Sequence, residues 1–334
     1  MAGWDEILKE FKEKVNSGEV RRQYLKKLSE YTGRNVIAYY SGFFDKPYAP
    51  NVEINDSDMT GFMNALHGMD CRKGLDLILH TPGGSPTAAE AIIYYLRAKF
   101  KKDIRVIVPQ LALSVGTMMA CAANVIIMGK HSSLGPVDPQ FNGIPAYNIK
   151  MEFEEAKSDL AKNPQNQMYW IIKLHKYPAA FLKTAIDAIE LSDILLRDWL
   201  GTCMFDCESE SDVINEIVAK LNEHDDSKVH GRHFNIDFCK SIGLKIEALE
   251  KDPILQDAVL SVHHAYMLTF STSDIVKIIE SQNDKAVITR PNKNVGWNNT
   301  QVQGNYNEID ETYKKLGINN SDVKPNNKLD TGEL

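Results

Sequence analysis

Between Leu75 and Met128 the chain alternates short apolar runs with helix-forming stretches, and this alternation restricts its fold more than any other feature. Leu75-Asp-Leu-Ile-Leu-His reads as a strand, Thr81-Pro-Gly-Gly-Ser-Pro as a turn, and Thr87 to Lys101 as a helix. Ile104-Arg-Val-Ile-Val is a second strand, Leu111 to Ser114 a second turn, Val115 to Ala123 a short helix, and Val125-Ile-Ile-Met a third strand. Asn35-Val-Ile-Ala-Tyr-Tyr, β-branched and aromatic, precedes them as the first strand. Strands separated by helices need crossover connections. Such connections make the strands parallel and bury the sheet on both faces. The expected class is therefore α/β with a parallel-sheet core and added helices.

The flanks read more coarsely. Trp4, Ile7, Leu8, Phe11 and Val15 recur at helical spacing, Val20, Tyr24, Leu25 and Leu28 continue the stripe, and Gly33 stops it. Residues 1–32 are expected to form an N-terminal helical arm. Residues 43–55 contain Pro47 and Pro50 and read as loop, after which Asp56 and Ser57 suit the cap of a helix running to about Met69. The core is expected to span residues 33–290, with a helical insertion at about 152–222 that Pro164 and Pro178 divide. Residues 223–232 are polar, Ile236 to Ile242 read as a short helix ended by Gly243, and residues 253–282 read as one or two helices. The extension 291–334, rich in Asn, Gly and Lys, is expected to be partly disordered around one short helix near 308–316.

Composition removes several classes. A net charge of −7 over 334 residues argues against broad binding to nucleic acid or an anionic membrane. No stretch approaches the roughly 18 apolar residues that a membrane span needs. The charged, amphipathic start is unlike a secretory signal. Five cysteines, odd in number and mostly within apolar or helical patterns, point to reduced thiols and a cytoplasmic setting. Cys203 and Cys207 lack a second ligand pair nearby, so neither metal nor another cofactor is expected.

Two turns carry the chemistry. Gly83 and Gly84 lie between a strand and a helix, where bare N–H groups at a helix start favour an anion. Ser114 opens the next helix, where the helix dipole favours a developing negative charge. Read singly, the first is an ordinary tight turn and the second an ordinary N-cap. Both lie at the same end of successive parallel strands and so can converge. A nucleophile on one turn with amide donors on the adjacent turn is what acyl transfer requires.

Thr81-Pro-Gly-Gly-Ser-Pro-Thr-Ala, then Ala112-Leu-Ser-Val-Gly-Thr, then Ser133-Leu-Gly-Pro-Val-Asp-Pro-Gln resemble the Clp protease and crotonase superfamily. Within it they look most like the serine dehydrogenase proteinase branch, a Clp-fold family related to signal peptide peptidase A. The resemblance is close over residues 34–150 and returns at His230-Gly-Arg-His-Phe-Asn. It implies a Clp-like superhelix core and an ATP-independent serine peptidase acting on peptides or proteins as a homo-oligomer. Ser114 would be the nucleophile, with Gly83, Gly84 and the Val115 N–H as the oxyanion hole. The histidine that follows the nucleophile in the Clp proteolytic subunit has no counterpart here, where Val137-Asp138-Pro139 stand. The base is then either His230 oriented by Asp138, with His233 as its substitute, or a lysine, Lys130 or Lys150, as in signal peptide peptidase relatives. A crotonase-like acyl-coenzyme A enzyme and a Clp-fold scaffold without a base are the competing classes.

Overall fold

The computed structural model describes residues 3–13, 17–222 and 231–291. Helices α1 (Trp4–Glu13) and α2 (Ser17–Thr32) precede β1 (Asn35–Ser41), and α3 (Asp58–Leu66) leads to β2 (Leu75–His80). Then come α4 (Pro86–Phe100), β3 (Ile104–Val108), the two-residue β4 (Leu111–Ala112), α5 (Val115–Cys121) and β5 (Val125–Met128). Short strands β6 (Ser133–Leu134), β7 (Gln140–Phe141) and β8 (Ile144–Pro145) open onto α6 (Ala146–Lys162), α7 (Gln167–Leu174), α8 (Phe181–Trp199) and α9 (Ser211–Asn222). The chain returns through α10 (Ile236–Ser241), β9 (Ile246–Ala248), α11 (Pro253–Thr272), β10 (Lys277–Ser281) and β11 (Ala286–Thr289).

The central sheet has the order β11-β10-β1-β2-β3-β5-β9. From β1 to β9 each neighbour is parallel, while β10 pairs antiparallel with β1 and β11 antiparallel with β10. The protein is thus α/β with a mostly parallel sheet, the architecture that the alternating runs predict. The period of two along each strand divides the core. Leu77, Leu79, Val106 and Ile126 pack on one face beneath α3, α4, α5 and α8. Val36, Ile78, Ile107 and Ile127 pack on the other, beneath α2 and α11. Asp76 is fully buried in β2, and two guanidiniums hold it: Arg34 Nε at 2.7 Å and Arg105 Nη2 at 2.7 Å.

The N-terminal stripe resolves into two helices on either side of residues 14–16, which lie outside the described residues. Val20, Leu25 and Leu28 are buried in the second core cluster with Ile7. Arg21 of α2 reaches into that core and donates to Glu280 Oε2 (3.0 Å) and Thr269 Oγ1 (3.0 Å). No described helix is long and apolar enough to cross a membrane. The expected short helix at 308–316, the extension that contains it and His230 all lie outside the described residues.

Three expectations need correction. Residues 253–282 are not helical throughout: α11 stops at Thr272, and Lys277–Ser281 form β10. The strand is disguised by Lys277 and Glu280, which look like solvent-facing charges but are buried, one against Asp58 and the other against Arg21. Next, α3 begins at Asp58, and Ser57 makes no side-chain cap. Asn55 caps instead, its Oδ1 accepting from Ser57 N–H while Asp58 Oδ2 accepts from Asn55 N–H. Finally, the helical insertion starts at Ala146 rather than near 152, because Ala146 N–H bonds to Pro139 O across the β7–β8 hairpin and starts the helix there.

Candidate active site

The turn that follows β4 places Ser114 at the head of α5 with φ +52° and ψ −119°. A residue with a Cβ pays strain for a positive φ. The hydroxyl gives nothing back locally, since it does not cap the helix. Ser114 thus stands at the N-cap position without working as a cap, and among the described residues its Oγ has no hydrogen-bond partner. Thr117, one turn on, fixes the elbow. Its Oγ1 accepts from Gly135 N–H (2.9 Å) and lies 2.9 Å from Ala112 O. The turn at residues 133–135 is thereby tied to the helix that carries Ser114.

The glycine turn after β2 packs directly against this elbow. A Cβ on Gly83 would lie 2.9 Å from Ser114 Cβ and 2.9 Å from Leu113 O, so no other residue fits there without displacing the serine. Gly83 has φ +106° and its N–H is turned to Thr81 Oγ1 (3.2 Å). Gly84 differs. It forms a parallel bridge with Ile54, in which Ile54 N–H donates to Gly83 O (2.8 Å) and Ser85 N–H donates to Ile54 O (2.9 Å). In such a bridge the middle residue's own N–H and C=O point to the opposite edge. Gly84 N–H is therefore directed away from Ile54. On the other turn, Gly116 N–H is bound to Leu113 O (2.8 Å), while Val115 N–H is one of the first helical donors that have no partner within the helix.

Ser114, Gly84 and Val115 share one cleft of about 360 Å³. Its opposite wall comes from α8 through Leu191 and Ser192, with Met118, Val137 and Phe141 completing an apolar floor. Ser192 Oγ bonds to Val137 O at 3.1 Å and holds α8 against the cleft. The α8 wall escapes a reading of the sequence. Its only trace is the helical spacing of Ala188, Leu191 and Ser192 in a stretch recognised as helix without a known inward face.

The candidate bases fall in different places. Asp138 is buried beside the cleft, and Gln140 Nε2 donates to its Oδ2 at 2.6 Å. His233 is exposed and precedes Phe234, which bridges antiparallel to Leu134. The same segment brings Arg232 O within 3.6 Å of the Gly135 Cα substituent position, where Leu113 also lies, so it runs close to the nucleophile turn. Lys130 is exposed beyond β5, with its backbone N–H bound to Glu250. Lys150 lies on α6 and pairs with Glu154 at 3.8 Å. Neither lysine lines the cleft. His230 lies outside the described residues.

Two further histidines sit behind the glycine turn on the other face of the sheet. His80 Nδ1 accepts from Leu111 N–H (3.4 Å), which leaves its proton on Nε2 among the rings of Tyr40, Phe43 and Phe44. His263 Nε2 is 3.1 Å from Gln110 Oε1 and Nδ1 is 3.3 Å from the Tyr40 hydroxyl. Burial lowers the His80 pKa to about 3 and pushes that of His263 well below its ordinary range. Both stay neutral near pH 7; His263 has a partner at each ring nitrogen, whereas His80 Nε2 is buried without one among the described residues. Between pH 6.5 and 3 the unfolded chain binds protons that folded His80 does not, so stability falls as pH falls through that window. For His80 the expected loss is about 2 kcal/mol between pH 7.5 and pH 5. Urea unfolding at the two pH values should show a shallower pH dependence in His80→Gln than in the parent protein.

A strained serine on a strand-to-helix turn, a glycine turn packed against it and a largely apolar cleft lined by both meet at this end of the sheet. The chain belongs to the ClpP-like SDH-type serine proteinase family, whose profile matches residues 7–173. It is also similar to two uncharacterized proteins of Methanocaldococcus jannaschii, with 38% identity over 146 residues to one and 34% over 134 residues to the other. These alignments cover 42% and 39% of this chain, and 50% and 45% of the relatives. The chain thus spans about half the length of the curated relatives it matches.

Proposed function

We propose that this protein is a serine peptidase that works through an acyl-enzyme on Ser114. The observation that carries the reading is the position of Ser114: strained, uncapped, and lining one cleft with Gly84, whose N–H is turned away from Ile54, and with Val115, whose N–H opens the helix. Attack by Oγ on a peptide carbonyl would place the developing oxyanion at these two donors. Gly83 would serve by its missing side chain, allowing the two turns to touch. The apolar floor formed by Met118, Val137 and Phe141 suits the side chain of an extended peptide.

For the general base we favour an imidazole from residues 230–233 with Asp138 as its orienting carboxylate. The contacts of Arg232 and Phe234 with residues 134–135, beside Leu113, support that choice over the two lysines, which do not line the cleft. A fluorophosphonate probe tests the class, because it forms a stable adduct only with an activated serine. Labelling at Ser114, located by peptide mass spectrometry, supports the peptidase. An unlabelled protein is better read as a non-catalytic Clp-fold scaffold. Comparison of His230→Ala and His233→Ala with Lys130→Ala and Lys150→Ala then identifies the base, since the true base should lose nearly as much rate as the nucleophile.

A further inference from the structure

The Gly84 N–H is aimed by a contact that begins far away in the sequence. Ile54 is the partner that turns Gly84 outward, and the residues on either side of Ile54 are held by one buried ion pair. Lys277 Nζ, on β10, donates to Glu53 O (2.6 Å) and to both carboxylate oxygens of Asp58 (2.8 and 3.0 Å). Asp58 Oδ2 in turn accepts from Asn55 N–H (3.0 Å) and from the Tyr39 hydroxyl (2.8 Å). The Lys277 and Asp58 side chains are 1% and 3% exposed.

We infer that Lys277 and Asp58 are positioning residues for the oxyanion hole: together they clamp residues 53–55 so that Ile54 holds the glycine turn with the Gly84 N–H facing Ser114. The ammonium grips the carbonyl before Ile54, and the carboxylate grips the amide after it. Ile54 is thereby fixed at both ends, and its own two backbone bonds fix Gly83 and Ser85. A buried pair is a costly way to hold a loop, and well-packed apolar residues often serve stability as well or better. What the pair adds here is geometry: an apolar pair would fill the same space without a directional hold on a carbonyl and an amide. Burial lowers the lysine's pKa, and the Asp58 carboxylate opposes that shift. The catalytic part of this inference rests on the serine peptidase reading, whereas the clamp itself does not.

The test uses the full chain with Lys277→Met, and with the double variant Lys277→Met/Asp58→Asn, in which no lone buried charge remains should the single variant fail to fold. Amide hydrogen exchange reads the clamp directly. Exchange at Ile54 and Ser85 should quicken at least tenfold while the amides of α4 and β2 keep their parent rates; unchanged exchange at those two positions overturns the clamp. Hydrolysis of p-nitrophenyl acetate and inhibition by acetyl-Leu-Leu-leucinal read its consequence. The expected result is a fall in kcat of tenfold or more with KM within twofold. The aldehyde, which forms a hemiacetal oxyanion with a serine, should bind at least tenfold more weakly, and the corresponding alcohol as before. Equal weakening of aldehyde and alcohol would mean a deformed cleft and would reject the positioning role. If the parent protein hydrolyses nothing and Ser114 stays unlabelled, the peptidase reading fails, and the exchange rates still decide whether the pair holds the turn.

Discussion

Replacing Ser114 by alanine is expected to abolish fluorophosphonate labelling and reduce peptide or ester hydrolysis by at least 10³-fold, with about 10⁶ the scale seen when a complete triad loses its nucleophile. The fold should hardly notice. The hydroxyl does not cap α5, so its removal leaves no donor or acceptor unpaired inside the helix start. The cost to stability should stay within about 0.5 kcal/mol. Ser114→Gly provides a second readout. Glycine accepts φ +52° without a clashing Cβ, so this variant should be as inactive as the alanine yet more stable by about 1 kcal/mol, seen as a higher urea midpoint. A serine kept at a strained position where glycine is more stable is the behaviour of a functional residue. If Ser114→Ala retains full hydrolysis, or if glycine is the less stable variant, the nucleophile assignment is wrong.

Gly84→Ala is the second change with a large expected effect. The added methyl would stand 2.4 Å from both Ile54 N and Ile54 O, which are backbone atoms that cannot rotate aside. The residue also has φ +149°, closed to L side chains. Breaking the Ile54 bridge should cost about 1–3 kcal/mol for the strained conformation, with lost hydrogen bonds in addition. The Gly84 N–H would swing away from the cleft. Loss of one oxyanion donor reduces turnover about 10²- to 10³-fold in a serine protease. Labelling of Ser114 should slow in parallel, because the probe passes through a similarly charged adduct. Gly83→Ala should also be severe, by a different route: its methyl would meet Ser114 Cβ and Leu113 O, pushing the nucleophile itself. Circular dichroism melts with labelling rates would separate the two, since an unfolded protein loses both signals together. Wild-type labelling in a folded Gly84→Ala protein would remove Gly84 from the site.

How much of this was legible in the linear chain varies with the reach of the interaction. Strands β1, β2, β3 and β5 are largely apolar runs, broken within β2 and β3 by Asp76 and Arg105, because parallel strands are buried on both faces, and that pattern is local. The two turns at their ends are equally local, because paired glycines and a polar residue among apolar neighbours stand out without any partner. By contrast, β10 was hidden, since Lys277 and Glu280 look solvated until Asp58 and Arg21 are seen beside them. The choice between Gly83 and Gly84 as outward donor was equally hidden. It turns on Ile54, which comes from a loop about 30 residues earlier and pairs with only one of them.

The sequence by itself determined the class of the fold, the two turns that meet at the cleft and the residue that stands at the helix start. These follow from short-range rules: side-chain period, backbone freedom at glycine and the free donors of a helix N-terminus. The tertiary structure alone decided that the Gly84 amide points away from Ile54, that α8 walls the cleft, that Lys130 and Lys150 do not line it, and that the buried Lys277 braces a loop more than 200 residues before it. Those facts depend on which distant segments the sheet order brings side by side, and β1, lying between β2 and β10, joins the glycine turn to Lys277 through neighbours separated by some 200 residues.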